Sequence, residues 1–382
     1  MSKWKTVKLG EVGVIITGNT PKTSDKENYL TNDISFYRPS DIVERNVSYL
    51  NSSEDYVSEV ARSKVRILPK GSILVTCIGI IGKIGILEHE ATCNQQINAI
   101  IPDQNICLNR YIAYSIFFNR DRLRDIANAP VVPIVNKTQF SNMLIPLPPL
   151  EEQKRIADIL DKASNLIELR KQQLEKMDLL IKSKFIDMFG DKGFPEMPLN
   201  KLCSIITDGT HQSPKFVEKG IPFLFISNIV DNKITYQTEK HITHKTYEAL
   251  IKRTPIELGD ILLTIVGSYG NPAIVENVQP FCFQRHIAYM KPIHEKINSY
   301  YLHAAFLVPQ VRQQIDVKVK GIAQKTLNLS ELKTVMIPVP PLALQKKFAS
   351  FVEQVEKQKS VMQQSLEEME INYKALLQKY FG

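Results

Sequence analysis

This chain of 382 residues is short of cysteine and of long apolar runs, and each shortage excludes something. Its five cysteines, Cys77, Cys93, Cys107, Cys203 and Cys282, are odd in number and form no C-x-x-C pair. That excludes a disulfide framework and a cysteine zinc site, and predicts free thiols in a reducing compartment. The longest apolar stretch, Ser72 to Leu87, is interrupted by Lys83 and rich in glycine, so it is too short and too strand-like to span a membrane. The opening MSKWKTVKLGEVG has no apolar core of a secretory signal, and a cytoplasmic protein is expected. A strong charge of one sign is also missing: 48 Lys and Arg face 40 Asp and Glu, for a formal charge of +8. This excess permits a polyanionic partner without demanding one. Hydrophobic residues at 43% and charged residues at 23% fit an ordinary globular protein, and the length suits two or three domains.

The position of the charge says more than its sum. Residues 1–148 carry 17 basic and 14 acidic side chains, and residues 191–340 carry 17 and 13. Residues 149–190 are balanced at 8 and 8, and residues 341–382 have 6 and 5. Most of the excess therefore lies in two separate blocks, as in a protein that touches a polyanion at two places.

The two blocks are one unit written twice. Ile145-Pro-Leu-Pro-Pro-Leu-Glu-Glu-Gln-Lys154 returns as Ile337-Pro-Val-Pro-Pro-Leu-Ala-Leu-Gln-Lys346. Ile15-Ile16-Thr17 recurs as Ile205-Ile206-Thr207, and Phe189-Gly190 as Phe381-Gly382. Lys70-Gly71-Ser-Ile-Leu-Val-Thr76 with Gly79 and Gly82 matches Leu258-Gly259-Asp-Ile-Leu-Leu-Thr264 with Gly267 and Gly270. Val135-Asn136 matches Leu327-Asn328. The spacing drifts between 187 and 192, so small insertions separate the copies.

In each copy, short Val- and Ile-rich runs alternate with Gly, Pro, Asn and Asp clusters. Ser72–Ile78 and Asp260–Val266 read as buried strands, and Asn109–Ile126 and Ser299–Gln314 as helical stretches. The globular parts, residues 1–148 and 191–340, are expected to be compact α+β domains. Each is followed by a long helix, over residues 149–190 and 341–382. In the first, Ile156, Leu160, Ala163, Ile167, Leu174, Met177, Ile181 and Met188 recur at steps of four and three, with Arg170 and Lys184 as polar exceptions. The second repeats the register with Phe348, Val352, Val355, Met362, Leu366, Met369, Tyr373, Leu376 and Tyr380, Lys359 being its exception. That is the heptad signature of a coiled-coil seam. Two stripes in the same register after the same Pro-rich opening favour mutual pairing over packing on separate domains.

The order domain, helix, domain, helix then requires the helices to run antiparallel, with a pseudo-two-fold axis through the pair. At about 1.5 Å per residue each helix spans roughly 60 Å. Two joined readers with different loops are expected to dock on two different half-sites of duplex DNA, with unread base pairs between them.

Enzymatic motifs are weak. An adenine methyltransferase needs an N-P-P-aromatic loop, and Asn271-Pro272-Ala273 lacks the second proline and the aromatic residue. Glu152-Gln-Lys154 and Glu331-Leu-Lys333 have the E-x-K of many nucleases, but the first opens a helix and the second abuts the Pro-rich segment. Gly79-Ile-Ile-Gly82-Lys83 is too short for a phosphate loop, and Ile84 stands where Ser or Thr should bind magnesium. His241, His244 and Glu248 are better explained as a polar loop-to-helix surface than as metal ligands. No cofactor, metal site or catalytic residue is expected.

The whole layout resembles the specificity subunit of type I restriction–modification enzymes. The resemblance rests on the pattern I-P-hydrophobic-P-P-L followed by Gln, at Ile145–Gln153 and Ile337–Gln345, and on a strand with a glycine-bearing turn at Ile73–Gly82 and Ile261–Gly270. Thr207-Asp-Gly-Thr-His-Gln-Ser-Pro214 also resembles a segment common in such recognition domains. Ala343-Leu344, where the first copy has Glu151-Glu152, is a small departure that costs a favourable charge at a helix N-terminus. The resemblance implies two tandem target-recognition domains and assembly with two adenine-methyltransferase subunits and ATP-dependent translocase–endonuclease subunits. It implies that the helices provide docking surface and that this chain is non-catalytic.

Phosphate contacts are expected from Lys and Arg, and base reading from Asn, Gln, Arg and His in loops. In the first domain the candidates are Lys22, Lys26, Lys83, Gln95, Gln96, Asn136 and Lys137. In the second they are His211, Gln212, Lys215, Ser268, Tyr269, Asn271, Gln284, Arg285, His286, Gln324 and Lys325. These clusters fall on loops made equivalent by the repeat, yet their identities differ, as two readers of different targets on one scaffold require. A bifunctional enzyme with its own methyltransferase lacks the loops it would need. A pure adaptor using only the helices leaves the divergent polar loops without a purpose.

Overall fold

A computed structural model describes residues 4–127, 132–190, 192–277, 279–321 and 324–382. Two helices of 40 residues, Leu150–Phe189 and Leu342–Phe381, each follow a globular segment of mixed strands and helices. The chain divides into two compact units. One takes the chain up to Gln172 together with Gln364–Gly382, and the other takes Gln173–Gln363.

In the first unit the main sheet runs in the order Gly13–Thr17, Ile97–Pro102, Ile73–Thr76, Ile84–Leu87, Val47–Leu50. The first three pairings are antiparallel and the last is parallel. Ile73, Leu74 and Val75 are all fully buried, which is why this central strand reads as an unbroken apolar run rather than an alternation. A smaller sheet joins Asp55–Val57, Ile34–Tyr37 and Ala91–Cys93.

The second unit repeats the first four strands in order and direction: Cys203–Asp208, Ile287–Pro292, Ile261–Thr264, Pro272–Ile274. One detail differs from the sequence match. The register shifts between Cys203 and Ile205, so an extra residue bulges out of that strand. Beyond it, Asp208 lies opposite Ala288 as Thr17 lies opposite Asn98. The structural counterpart of Thr17 is therefore Asp208, not Thr207.

Each expected helical stretch beyond the sheet breaks in two, as Asn109–Phe118 with Arg120–Asp125 and Ser299–Leu307 with Pro309–Lys318. In the second copy Pro309 opens a new helix and holds Val308 extended at ψ 149°. In the first, Asn119 leaves helical geometry, and its Nδ2 donates to the Ser115 carbonyl at 2.9 Å.

The Pro-rich openings are strands. Leu144–Pro146 pairs antiparallel with Thr6–Lys8, and Met336–Pro338 with Glu196–Pro198, so the end of each globular segment closes on its beginning. Tyr111 donates its hydroxyl to the Pro146 carbonyl at 2.9 Å, and Tyr301 to that of Pro338 at 2.7 Å. The repeated glutamines are fully buried. Gln153 accepts from the Leu108 N–H and donates to the carbonyls of Ile106 and Pro148. Gln345 accepts from the Asn298 N–H and donates to Lys296 and Pro340. The repeated motif thus fixes the start of each long helix to its globular segment.

Within each unit the two long helices run antiparallel. In the first, Lys171 pairs with Glu370 at 2.7 Å, and the Arg155 guanidinium lies 5.6 Å from the centre of the Tyr380 ring. In the second, Lys359 pairs with Asp178, and the rings of Phe185 and Phe348 meet edge-on at 5.4 Å. All fourteen expected seam residues from Ile156 to Ile181 and from Phe348 to Tyr373 are buried or half-buried. Lys359, the polar exception, is held by Asp178 and Glu356. The same face also serves the globular core: Phe185, Phe189, Phe348 and Val352 form one cluster with Leu199, Leu202, Tyr301 and Ile337.

Candidate nucleic-acid interface

The glycine-bearing turn after the central strand is built from one threonine. Thr76 donates its hydroxyl to the Ile80 carbonyl at 2.5 Å and accepts from the Lys83 N–H at 3.0 Å, while its own carbonyl accepts from Gly82. Thr264 makes the same bonds with Ser268, Asn271 and Gly270. Gly82 and Gly270 have φ of 87° and 78°, the left-handed region that costs an L side chain strain. A Cβ at Gly82 would also lie 2.9 Å from that of Arg120.

Backbone hydrogen bonds gather the other loops around this turn. In the first unit Gly79 N–H reaches Pro133, Val135 N–H reaches Cys77, and Cys77 N–H reaches Gln96. Asn19 N–H reaches Cys93, and Thr20 donates its hydroxyl to Gln95 Oε1 at 2.7 Å. In the second, Gly267 N–H reaches Lys325, Leu327 N–H reaches Ile265, Ile265 N–H reaches His286, and Arg285 N–H reaches Thr210. Each unit therefore brings four loops, distant in sequence, together at one end of the central strands of its main sheet.

The candidates differ in what their side chains do there. Lys22, Lys26, Gln95, Lys137, His211, Gln212, Lys215, Ser268, Arg285, Gln324 and Lys325 are exposed, with Lys26 opening the 3-10 turn Lys26–Tyr29. Gln284 and His286 are half-buried. Others carry structural work. Lys83 gives its ammonium to the Pro39 carbonyl at 2.8 Å. Asn136 caps the helix Lys137–Ser141, accepting from Gln139 N–H, and the Gln139 side chain returns the bond. Gln96 accepts from Asn94 at 2.9 Å, and Asn271 donates to Ser268 at 3.1 Å. Tyr269 donates to Asp316 at 3.0 Å, with Arg312 4.9 Å and Lys325 5.9 Å from its ring centre.

Burial, aided by the Arg285 cation, lowers the His286 pKa, so its imidazole is neutral at pH 7 and can both donate and accept. Burial pushes all five cysteine thiols up to about 12, which leaves them protonated and unreactive. His244 Nδ1 and Glu248 Oε1 lie 3.2 Å apart on an exposed helix. Among the described residues there is no group of three or more His, Cys, Asp or Glu suited to a metal, and no helix long and apolar enough to cross a membrane.

Sequence reasoning passed over three residues at this edge. Asp208 is almost fully buried and accepts from Arg253 and from His211, the latter at 2.8 Å. Arg66 donates to the Thr17 carbonyl. Arg66 and Arg253 lie outside the glycine loops, and no local signal marks them.

The family described as type I restriction modification DNA specificity domain matches this chain twice, over residues 1–178 and 192–370. The type I restriction enzyme MjaIX specificity subunit of Methanocaldococcus jannaschii is 28% identical over 383 aligned residues, covering 92% of this chain and 86% of that protein. The EcoR124I/EcoR124II specificity subunit of Escherichia coli is 35% identical over 196 residues, 45% of this chain and 46% of its own length. Among solved structures, the S subunit of a type I restriction–modification system from M. genitalium superposes with a TM-score of 0.58 at 14% identity, covering 100% of this chain and 96% of that one. A chain from work on assembly and conformational transition of a type I system gives 0.59 at 19% identity, covering 99% and 97%. At these identities the superpositions speak for the fold.

Proposed function

The chain belongs to the type I restriction–modification DNA specificity family, and on that premise we propose that it reads a bipartite, asymmetric DNA site, one half with each globular segment. It is a recognition subunit and not itself an enzyme. The observation that carries the reading is the pair of loop edges: the same threonine turn and the same backbone bonds present different side chains in the two copies. A shared scaffold with divergent loops suits two readers of different sequences.

As a type I specificity subunit it works with methylase and restriction subunits on DNA. We infer two adenine-methyltransferase subunits and ATP-dependent translocase–endonuclease subunits, and a cytoplasmic location. Exposed Leu166, Leu169, Leu179 and Leu180 on the first long helix support its use as docking surface, since large apolar side chains in water favour a partner. The exposed lysines of the loop edges suit phosphate contacts, which set register without reading sequence.

Mapping methylated adenines across the genome of a strain carrying the system tests this. A bipartite motif is expected. Exchanging the second-segment loops at 208–215, 267–271, 284–286 and 324–326 for those of a relative with another target should change one half of the motif only. A change in both halves, or in neither, would overturn the assignment.

A further inference from the structure

We infer that Arg253 is a specificity-determining residue that reads a guanine in the half-site of the second domain, and that Asp208 is the positioning residue that aims it. The inference rests on the DNA-reading function proposed above.

The geometry starts at the bulged strand. The extra residue after Cys203 brings Asp208 to the end of the strand, opposite Ala288, where the first domain has Thr17. Asp208 is 7% exposed, so its carboxylate is held among protein atoms rather than in water. A buried carboxylate requires charged or hydrogen-bonding partners. Asp208 has two: Oδ1 accepts from Arg253 Nη2, and Oδ2 meets His211 Nε2 at 2.8 Å.

The guanidinium is fixed along one edge. Its Nε and Nη2 both reach Thr207 Oγ1 at 3.3 Å, and Nη2 also binds Asp208. The Nη1 side makes no hydrogen bond among the described residues, and the side chain as a whole is 51% exposed. A recess of about 250 Å³ lies beside it, lined by Thr210, His211, Leu250 and Phe283. The group is thus an arginine whose Nε and Nη2 are held by protein oxygens and whose Nη1 is open, next to loops that converge through the Arg285–Thr210 backbone bond.

That arrangement suits a purine edge. Guanine offers O6 and N7 as neighbouring acceptors in the major groove, and the open Nη1, which carries two protons, can donate to them. Fixing the guanidinium beforehand through Nε and Nη2 reduces the rotamer freedom lost on binding, so more of the interaction is kept as discrimination. A phosphate contact needs only a cation and gains little from a buried buttress, whereas base reading depends on angle.

The first domain supports the assignment by contrast. There Arg66 donates to the backbone carbonyl of Thr17, the structural counterpart of Asp208. Its anchor is a backbone carbonyl and the side chain is exposed, so each domain holds an arginine at this strand position, the first without a buried carboxylate.

The test uses the full complex and a map of methylated adenines for the wild type and for Arg253→Lys, Arg253→Gln and Asp208→Asn. The wild-type motif is expected to hold a guanine, on one strand, in the half read by the second domain. Arg253→Lys keeps the charge but loses the Nε and Nη2 contacts that aim the open donor. It should reduce preference for that guanine roughly ten- to a hundredfold, leaving the other half intact. Asp208→Asn, nearly isosteric, should relax the same position by less. Thermal unfolding of each variant is measured alongside, and relaxation of one position in a normally folded Arg253→Lys protein is an outcome that loss of folding cannot imitate. An unchanged motif, a uniform fall in methylation with all positions still read, or a second half-site without guanine would overturn the inference. A wild-type map with no bipartite motif would instead overturn the function on which it rests.

Discussion

The carboxamide of Gln345 accepts a hydrogen bond from the backbone N–H of Asn298 at 2.8 Å, across 47 positions of sequence. Through its Nε2 the same side chain holds the carbonyls of Lys296 and Pro340. Three backbone groups near the start of a long helix therefore depend on one fully buried side chain. Gln153 holds the matching three groups in the first unit.

Gln345→Leu preserves volume but leaves those buried groups without partners. The expected loss is about 1–3 kcal/mol of stability, and Gln153→Leu should cost a similar amount. Urea unfolding of the full chain checks both. An unchanged midpoint would mean that water replaces the carboxamide at no cost.

Glu356 gives a pH prediction. Burial raises its pKa, but the ammonium groups of Lys233 and Lys359 outweigh burial and hold the carboxyl below its ordinary 4.5. A depressed carboxyl stabilises the fold fully above the unfolded value, and that contribution is lost as pH falls through the folded one. Wild-type stability should therefore drop as pH is lowered past 4.5. In Glu356→Gln the drop should be shallower, as read from urea midpoints along a pH series. Parallel curves would show that the carboxyl is not paired in solution.

The exposed lysines predict a salt effect. Replacing Lys22, Lys137, Lys215 or Lys325 by Ala should weaken DNA binding without altering the methylated motif. Removing one phosphate-binding ammonium should lower the slope of log K against log salt by about 0.9. Titration of the methyltransferase complex with its target at several salt concentrations measures this. A changed motif would make that lysine a base reader instead.

The heptad pattern yields a fourth expectation. Inserting one matched heptad into each long helix keeps the seam in register. The unread spacer of the DNA site should lengthen while the half-site bases stay the same, as methylation mapping would reveal. Altered half-site bases would break the link between helix length and spacer.

Much of this was legible in the sequence because it depends on local period. Steps of four and three along Ile156–Ile181 and Phe348–Tyr373 encode one helix face regardless of what covers it. The duplicated I-P-x-P-P-L segments mark identical structural joints, and the joint proves to be a strand closed by a buried tyrosine and a buried glutamine. The glycines at 82 and 270 signal a turn that only a left-handed residue completes cheaply. Repeats, heptads and turn glycines were therefore fixed by the amino-acid order alone.

What a loop side chain does at the sheet edge was decided only by tertiary structure. Asn136 has the chemistry of a base reader, yet it caps a helix, because Gln139 N–H lies within its reach. Lys83 has the charge of a phosphate ligand, yet the Pro39 carbonyl takes its ammonium. Arg253 carries no local mark, and it reaches Asp208 only because the chain returns 45 residues later beside a bulged strand. Hydrogen bonds between distant segments depend on how strands register and where a bulge falls, and a linear pattern holds no record of either.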